Sequence, residues 1–285
     1  MHKVFLFGWS GYIGRHFVSM SLNSDIEVIK VGRSDQSSIY FDLSAGRLDG
    51  LSAIGVGDRC VFLTAISSPE YCAKHLSESR SINVTATKLV IHHLLAKGAH
   101  VLFASSDVVY GCTSDVVDEN SEINPQFQYA EMKAEVEEYF SKFSHFHVMR
   151  LSYVWSMTDK FTSFVLREAN QGNVIEVFHP FIRAVVPLVD VLRFMTLFSQ
   201  SPASIPNLVN VAGEEFISRV DLVAYLAEHI DINYKIVVPN DDFFEYRPKE
   251  ILMRSLFFSD VLGAPVTKLS SEINKCLLRS KENFS

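Results

Sequence analysis

Tyr129 and Lys133 are the pair of residues in this sequence whose types and spacing best suit proton transfer. They are four residues apart in a segment with helical periodicity, and residues at this spacing lie on one face of a helix. A lysine ammonium beside a phenol favours the ionised phenol and so lowers its pKa. On their own, a tyrosine and a lysine at this spacing are more often part of a solvated helix face, so the pair needs support from elsewhere in the sequence.

A third polar group comes from the upstream segment, where Ser105 and Ser106 end an apolar run that is typical of a strand. The carboxyl ends of parallel strands form the ligand-binding edge of an open α/β sheet, so a hydroxyl at that position can meet a substrate. Together with Tyr129 and Lys133, the strand end predicts a site that moves a proton to or from a substrate oxygen.

The segment from Gly8 to Gly14 has the pattern GxxGxxG, directly after the first predicted strand and at the start of a helix. Glycines permit a sharp turn and let a pyrophosphate approach main-chain amides, and the following helix directs unpaired N–H groups at the anion. A glycine-rich turn without a ligand is the alternative, but the position after the first strand favours a dinucleotide. The residues expected to contact it are Gly8, Ser10, Gly11, Tyr12, Ile13 and Gly14.

The end of the second predicted strand favours NADP(H) over NAD(H). Sites for NAD usually place a carboxylate there for the ribose 2′-hydroxyl, whereas this chain has Gly32 followed by Arg33 and Ser34. A guanidinium can pair with a 2′-phosphate, which an acid would repel, although Arg33 could also be an ordinary exposed charge. Asp42 could accept a hydrogen bond from adenine or cap the next turn. The cofactor contacts expected from these strand ends are Arg33, Ser34, Asp42, Leu43 and Ala65.

The first half of the chain alternates short apolar runs with segments of helical periodicity. The runs are rich in valine, isoleucine, leucine and phenylalanine on both faces, which suits parallel strands covered by helices on both sides. This alternation predicts an α/β fold with a Rossmann-like, doubly wound parallel sheet. The predicted strands are 3–7, 26–31, 38–41, 60–65, 100–104 and 147–151, and the clearest helices are 13–22, 81–97 and 129–142.

The pattern changes after about residue 155. No polar linker separates the two halves, so we expect an NADP-binding Rossmann domain at 1–155 and a smaller, closely packed α/β substrate-binding part at 156–285. The chain could cross between the two, and a ligand is expected in the cleft between them. In the second part the predicted helices are 161–170, 190–198 and 219–230, the β-like pieces are 185–187 and 208–211, and 243–248 is predicted to be a loop.

Composition argues against several classes of protein. A chain with 48% hydrophobic and 21% charged residues is neither disordered nor fibrous. No apolar run reaches the roughly 18 residues that span a bilayer, so no membrane segment is expected. A net charge of −7 without basic runs disfavours binding to nucleic acid. The four cysteines have no CxxC spacing, so we expect no metal site and reduced thiols in a cytoplasmic protein.

These motifs resemble the extended short-chain dehydrogenase/reductase family of the NAD-dependent epimerase/dehydratase type, whose members act mostly on nucleotide-sugars. The glycine loop, the tyrosine and lysine four apart, and the strand end SSDVVYG at 105–111 carry the resemblance. Other matching segments are 81–85, 150–152, 185–191 and 207–213. The resemblance covers nearly the whole chain, and its motifs are specific for the family rather than for a substrate.

The resemblance implies a role for each residue of the predicted site. Tyr129 would donate or accept the proton, and Lys133 would hold the nicotinamide ribose and lower the tyrosine pKa. Ser106 is the better match of the two serines for the hydroxyl that orients the substrate oxygen. Asn83 would support the tyrosine helix or a water chain beside the cofactor, or be only a hydrogen-bonding residue on a helix side.

Within the family the resemblance leans towards the dTDP-4-dehydrorhamnose reductase branch, because Asp107 follows Ser106 and Arg247 is followed by a proline. It implies that Ser106 and Asp107 contact the sugar and that Arg183 and Arg247 contact the diphosphate. Either arginine could instead form a surface or interdomain ion pair. Trp155 stands where the family often has a glycine, and the substrate part is short, so the identity of the sugar stays open.

Three hypotheses follow for the function. The first is NADPH-dependent reduction of the keto group of a nucleotide-linked deoxyketosugar, a 4-ketoreductase of deoxysugar biosynthesis. The second is a nucleotide-sugar 4-epimerase or dehydratase with bound NAD, which the glycine at residue 32 disfavours. The third is a non-catalytic NADP-binding regulatory subunit, which the intact serine, tyrosine and lysine disfavour. The resemblance also implies a homodimer.

Overall fold

The structure, a computed structural model, describes residues 2–282. Strands and helices alternate through the first half of this range, and the second half adds short strands between further helices. The strands are β1 (His2–Phe7), β2 (Ile26–Gly32), β3 (Ile39–Tyr40), β4 (Arg59–Phe62), β5 (His100–Ser106), β6 (Phe146–Leu151), β7 (Val154–Trp155), β8 (Ile175–Phe178), β9 (Ile182–Ala184), β10 (Val186–Pro187), β11 (Leu208–Val211), β12 (Phe216–Ser218), β13 (Tyr234–Val237) and β14 (Glu250–Ile251).

The α-helices pack mostly between these strands, and a π-helical segment at Ser81–Ala86 leads into the fourth of them. The helices are α1 (Tyr12–Ser21), α2 (Pro69–Lys74), α3 (Leu76–Arg80), α4 (Thr87–Ala96), α5 (Gln128–Phe140), α6 (Lys160–Asn170), α7 (Leu188–Gln200), α8 (Arg219–Ala227), α9 (Asp241–Phe244), α10 (Phe258–Leu262) and α11 (Leu269–Glu282).

Seven strands form a central sheet in the order β11-β6-β5-β4-β1-β2-β3, with every neighbouring pair parallel. The order reverses between β1 and β4, which places a crevice at the carboxyl ends of these two strands. The predicted α/β fold with a doubly wound parallel sheet is therefore confirmed.

Both faces of the central sheet are buried, as the apolar strands predict. Along β1, Val4 and Leu6 join one hydrophobic cluster, while Phe5 and Phe7 join another on the opposite face. Helices α1 and α7 contribute to the first cluster, and α4 and α5 contribute to the second. Each layer of helices thus removes one face of the strands from water, which is the main driving force for this architecture.

The chain crosses between its two parts after residue 155. Strand β11 pairs with β6 and completes the central sheet, and Phe194 and Met195 of α7 pack in the same cluster as β1. The remaining strands form three small sheets, β12-β9-β14, β13-β8 and β10-β7. Trp155 is buried in the core of this second part rather than standing beside the crevice. The functional division at residue 155 stays a prediction.

Two segments differ in detail from what the sequence predicts. The helix predicted over 81–97 has a π-helical first turn around Asn83 and becomes α-helical only at Thr87. The loop predicted at 243–248 begins inside the short helix α9, which starts at Asp241. Two acids in the first turn of α9 favour a helix start, because they face the positive end of the helix dipole.

Three histidines meet where β5 and β6 begin. The rings of His100 and His145 stack with centroids 4.1 Å apart, and His147 lies 6.0 Å from His100. His100 Nδ1 and His147 Nε2 are buried and have no hydrogen-bond partner among the described residues. Burial, together with the charges of the neighbouring histidines and Arg59, lowers the pKa of His100 to about 4. Burial also lowers the pKa of His147, so both residues are neutral in the folded protein near pH 7.

The histidine cluster predicts a loss of stability in mild acid. In the unfolded chain His100 binds a proton near pH 6.5, but in the folded protein it resists protonation down to about pH 4. The free energy of unfolding should therefore fall as the pH drops through this window, by up to about 2 kcal/mol at about pH 5. Urea unfolding at several pH values measures it. His100→Gln should flatten the dependence, while the exposed His229→Gln should leave it unchanged; equal slopes in both variants would contradict the prediction.

Within residues 2–282 no helix is long and apolar enough to cross a membrane.

Candidate active site

Helix α5 places Tyr129 and Lys133 on one face, as their spacing predicts. The Lys133 Nζ atom lies 5.8 Å from the centre of the Tyr129 ring and 4.5 Å from that of Phe103. Lys133 is 5% exposed, and its ammonium donates a hydrogen bond to the Ala104 carbonyl oxygen at 2.7 Å. The bond joins the middle of α5 to the carboxyl end of β5, so the lysine position is fixed by the sheet.

The Tyr129 side chain is half-buried, and its hydroxyl forms no hydrogen bond to any residue that the structure describes. Burial raises the pKa of Tyr129 above its ordinary value, and Cys72 and Asp107 raise it further. Burial also lowers the pKa of Lys133 to about 8, against the opposing effects of Glu137 and Cys72. Lys133 is not among these contributions, so the expected lowering of the tyrosine pKa by the ammonium stays a prediction. At neutral pH the phenol is protonated and can donate.

The two serines at the end of β5 have different partners. Ser105 is buried and donates a hydrogen bond to Glu137 Oε1 on α5. Ser106 is half-buried, donates to Asp107 Oδ1 at 3.0 Å, and caps the 3-10 helix Asp107–Tyr110. Of the two hydroxyls, Ser106 is the one that does not donate to Glu137 on α5, and its role in orienting a substrate oxygen stays a prediction.

Asp107 and Arg183 form a buried ion pair, with 3.5 Å between Oδ2 and Nε. The two terminal nitrogens of Arg183 donate to the carbonyl oxygens of Ile182 at 2.7 Å and Pro248 at 2.8 Å. Burial raises the pKa of Asp107, and Arg183 opposes the shift. The interdomain ion pair considered for Arg183 is therefore present. Its contact with a diphosphate stays a prediction, and a phosphate oxygen would have to replace one of these three partners.

Arg247 forms an ion pair with Glu70. Its Nη2 atom lies 2.6 Å from Glu70 Oε1, and its Nη1 atom donates to the Phe243 carbonyl oxygen at 3.2 Å. Glu70 belongs to α2, which follows β4, whereas Arg247 belongs to the second part of the chain. The pair therefore connects the two parts, and a diphosphate contact by Arg247 also stays a prediction.

Arg219, which the sequence analysis did not select, is the arginine at this site without a carboxylate. It lies between the rings of Phe161 and Phe181, with its guanidinium carbon 4.7 Å and 4.3 Å from their centres. Among the described residues it has no hydrogen bond or ion pair from its side chain. Burial lowers the pKa of Arg219, and the charges of Arg183 and Arg247 contribute to the shift. The charges of Arg183 and Arg247 thus act on Arg219, and the charges of Tyr153 and Asp159 oppose them.

Nothing in the local sequence indicates this role for Arg219. It directly follows Ser218, which caps α8 in a capping box, so its position suggests only the first residue of a helix. Its aromatic neighbours come from α6 and from the residue before β9, and their approach depends on how the second part of the chain folds.

The glycine loop leaves no space for side chains at its first and last glycines. Gly8 has φ of 82°, and a Cβ there would lie 2.9 Å from the Thr64 nitrogen. A Cβ on Gly14 would lie 2.5 Å from the Gly8 carbonyl oxygen. Gly11 precedes the first residue of α1, whose free amides open toward the loop. Because these glycines carry no side chains, the backbone of the loop can come close to the pyrophosphate of a dinucleotide, and the residues present fit that group.

A cavity of about 210 Å³ adjoins the loop at the carboxyl ends of β1, β2 and β4. It brings together predicted cofactor residues from four separate segments, together with Trp9, Gly32 and Ile66. The predicted residues that line it are Gly8, Ser10, Arg33, Asp42, Leu43 and Ala65.

The other predicted cofactor residues do not line this cavity. Tyr12 donates a hydrogen bond to Ser156 Oγ at 2.7 Å, and Ile13 packs against the core. Ser34 is exposed and accepts from the Gln36 nitrogen. Asn83 is buried and holds both backbone groups of Ile66, at 2.8 and 2.9 Å, so it supports the cavity wall.

Asp42 acts as a helix cap, one of its two expected roles. Its Oδ1 atom accepts hydrogen bonds from the nitrogen and the hydroxyl of Ser44 at 2.9 and 2.7 Å. These bonds, and to a smaller extent Arg33, lower the pKa of Asp42. Its Oδ2 atom has no partner among the described residues, so the contact with adenine stays a prediction.

The comparisons with known proteins agree with this geometry. The model of the NAD dependent epimerase/dehydratase family matches residues 4–212. Curated protein sequences include no match to the chain. A dTDP-4-dehydrorhamnose reductase structure from Yersinia enterocolitica is 18% identical with a TM-score of 0.84, over 97% of this chain and 99% of that one.

Two further solved structures are similar over the full length. MoeE5 in complex with UDP-glucose and NAD is 22% identical, with a TM-score of 0.79 over 99% of this chain and 100% of that one. RMD from Pseudomonas aeruginosa, complexed with NADPH, is 17% identical, with a TM-score of 0.77 over 100% of both chains. Identities this low show a shared fold.

Proposed function

This chain belongs to the NAD dependent epimerase/dehydratase family, and on that premise we propose that it reduces the keto group of a nucleotide-linked deoxyketosugar with NADPH. The observation that carries the proposal is the free phenol hydroxyl of Tyr129, which is held beside a buried ammonium and is protonated at neutral pH. Reduction of a carbonyl needs a proton donor in this state, whereas oxidation needs the ionised phenol.

The residues divide into groups with separate tasks. The glycine loop, Arg33 and Ala65 would hold NADPH, which would supply the hydride for the carbonyl carbon. Tyr129 gives its proton to the carbonyl oxygen as negative charge develops there, and Ser106 orients that oxygen by a hydrogen bond. Lys133 holds its ammonium beside the phenol and stabilises the phenolate that the transfer leaves.

The three arginines give the nucleotide-sugar its recognition site. The charges of Arg183 and Arg247 both lower the pKa of Arg219, so the three guanidinium groups are near one another. A diphosphate carries negative charge on several oxygens and pairs well with guanidinium groups. Arg219 is the group that can bind first, because it has no carboxylate to release.

Loss of the Arg219 guanidinium should weaken nucleotide diphosphate binding. We expect Arg219→Met, which keeps a long apolar side chain between the two phenylalanines, to raise the Kd for UDP and dTDP about tenfold or more. Calorimetric titration measures it, with uridine and thymidine as ligands that lack the phosphates. Arg167, which stacks on Phe164 at the surface of α6, supplies the control Arg167→Met. An unchanged Kd in Arg219→Met would exclude this arginine from the diphosphate site.

A dehydratase or epimerase reaction is the second candidate, and one observation favours it. Asp107 is buried directly beside Ser106, and burial raises its pKa, so it could serve as a second proton donor. The similarity to MoeE5, which is described with UDP-glucose and NAD, is compatible with such chemistry.

A stoichiometric assay distinguishes the two candidates. Purified protein is mixed with NADPH and a panel of 4-keto-6-deoxy nucleotide-sugars, and both the cofactor absorbance and the sugar product are followed. We expect one NADPH to be oxidised for each sugar reduced. Conversion of a sugar without net loss of NADPH would instead support the epimerase or dehydratase and would contradict the reductase.

A further inference from the structure

Trp9, the first variable residue of the glycine loop, lies against Gly32 at the end of β2. A Cβ on Gly32 would be 3.2 Å from Trp9 Nε1 and 3.5 Å from both Trp9 Cδ1 and Ser37 Oγ. The indole therefore fills the space where a side chain from residue 32 would begin. Residue 32 is also the position from which sites for NAD present a carboxylate to the ribose 2′-hydroxyl.

The indole is held from several directions. Trp9 Nε1 donates a hydrogen bond to Ser37 Oγ at 3.0 Å, and the Lys30 ammonium lies 4.8 Å from the centre of the ring. The Trp9 backbone packs closely against Gly14. A Cβ on Gly14 would lie 2.7 Å from both the Cα and the carbonyl oxygen of Trp9. A side chain at residue 32 would require the ring to shift by a few tenths of an ångström, against the bond that holds it to Ser37.

The charges beside the indole suit an anion. Arg33 is exposed and has no ion pair among the described residues, and the Lys30 ammonium lies over the ring. Trp9, Gly32 and Arg33 all line the same cavity. The nearby carboxylate is Asp42, and its Oδ1 atom is occupied by Ser44.

We propose that Trp9 determines the cofactor specificity: its fixed indole excludes a carboxylate at residue 32 and forms one wall of a site in which Arg33 binds a 2′-phosphate. The inference rests on the proposed use of NADPH and deepens it, because it assigns the choice of cofactor to a residue of the pyrophosphate loop. The ligand class is an adenosine nucleotide phosphorylated at the ribose 2′ position.

The first experiment isolates the 2′-phosphate with two probes, 2′,5′-ADP and 5′-AMP, titrated by calorimetry. The wild-type protein should bind 2′,5′-ADP at least about tenfold more tightly, and Arg33→Ala should remove most of this difference. If the wild-type protein binds both probes equally, the NADPH preference in the proposed function fails. That result leaves the steric role of Trp9 to be decided by the second experiment.

The second experiment measures the Kd for NADH in a cycle of Gly32→Asp, Trp9→Ala and the double variant. Gly32→Asp alone should not improve NADH binding, because the indole blocks the acid, whereas the double variant should bind NADH at least about tenfold more tightly than Gly32→Asp. Gly55→Asp is the control, since a Cβ at Gly55 has no neighbour within 4 Å. An equal gain in Gly32→Asp with and without Trp9→Ala would overturn the proposal.

A stability measurement keeps the proposal testable if Gly32→Asp does not fold. Gly32→Ala adds only the Cβ that would contact the indole at 3.2 Å. Its Tm should fall more in the wild-type background than in Trp9→Ala, because the contact exists only when the indole is present. Equal falls in Tm in the two backgrounds would show that the indole does not exclude a side chain at residue 32.

Discussion

Replacing Tyr129 with phenylalanine should lower kcat for reduction of the nucleotide-sugar by at least about 100-fold, because a positioned general acid contributes about 10²- to 10⁴-fold. The Kd for NADPH should change by no more than about threefold, since the substitution removes one oxygen that makes no hydrogen bond to the described residues. Single-turnover decay of NADPH absorbance measures the chemical step, and calorimetric titration measures cofactor binding.

Tyr139 offers a matched control on the same helix. It is 53% exposed, and Lys88 lies 4.6 Å from the centre of its ring, so it repeats the tyrosine–lysine chemistry away from the cleft. Tyr139→Phe should retain the wild-type kcat. If Tyr129→Phe retains it too, the proton comes from another group, and the buried Asp107 becomes the next residue to test.

The sequence was sufficient for features that depend on neighbours along the chain. Four consecutive residues of β1 are apolar, and the structure buries two on each face of the sheet. The spacing of Tyr129 and Lys133 predicts a shared helix face, and the distance between ammonium and ring confirms it. Helix periodicity and strand alternation depend on residues that are close in the sequence, so they can be recognised without knowledge of the tertiary structure.

Features that depend on distant segments were not predictable in the same way. Arg219 is distinguished by its position between two phenylalanines from other elements. Trp9 occupies a variable position in the glycine motif, and only the approach of β2 gives it a role. The tyrosine pKa is another case, because burial depends on all the residues packed around the phenol rather than on the lysine alone.

The position of α5 depends on a buried ion pair that sequence spacing alone does not predict. Glu137 follows Lys133 by four residues and therefore extends the face that carries Tyr129. Its Oε2 atom lies 2.6 Å from Nη2 of Arg150 on β6, and its Oε1 atom accepts a hydrogen bond from the Ser105 hydroxyl on β5. Arg150 also donates to the Tyr110 hydroxyl at 2.7 Å. The pair thus joins α5 to the two strands whose ends form the site.

Replacing Glu137 with glutamine should lower the free energy of unfolding by about 3–5 kcal/mol, because it leaves the buried Arg150 charge without its carboxylate. Urea unfolding followed by circular dichroism measures the loss. In the folded fraction kcat should also fall, since α5 is no longer fixed to the sheet by charge, while the exposed Glu138→Gln should change neither quantity.

A double variant distinguishes the effect of the paired charges on stability from the effect of the space that the two side chains fill. Glu137→Leu combined with Arg150→Met removes both charges and keeps apolar bulk, so it should recover much of the stability that Glu137→Gln loses. The recovery should be larger for folding than for kcat, because leucine packs against the strands but does not accept the hydrogen bond from Ser105. If the double variant is as unstable as Glu137→Gln, the stability comes from the hydrogen bonds to Ser105 and Tyr110 rather than from compensation of charge.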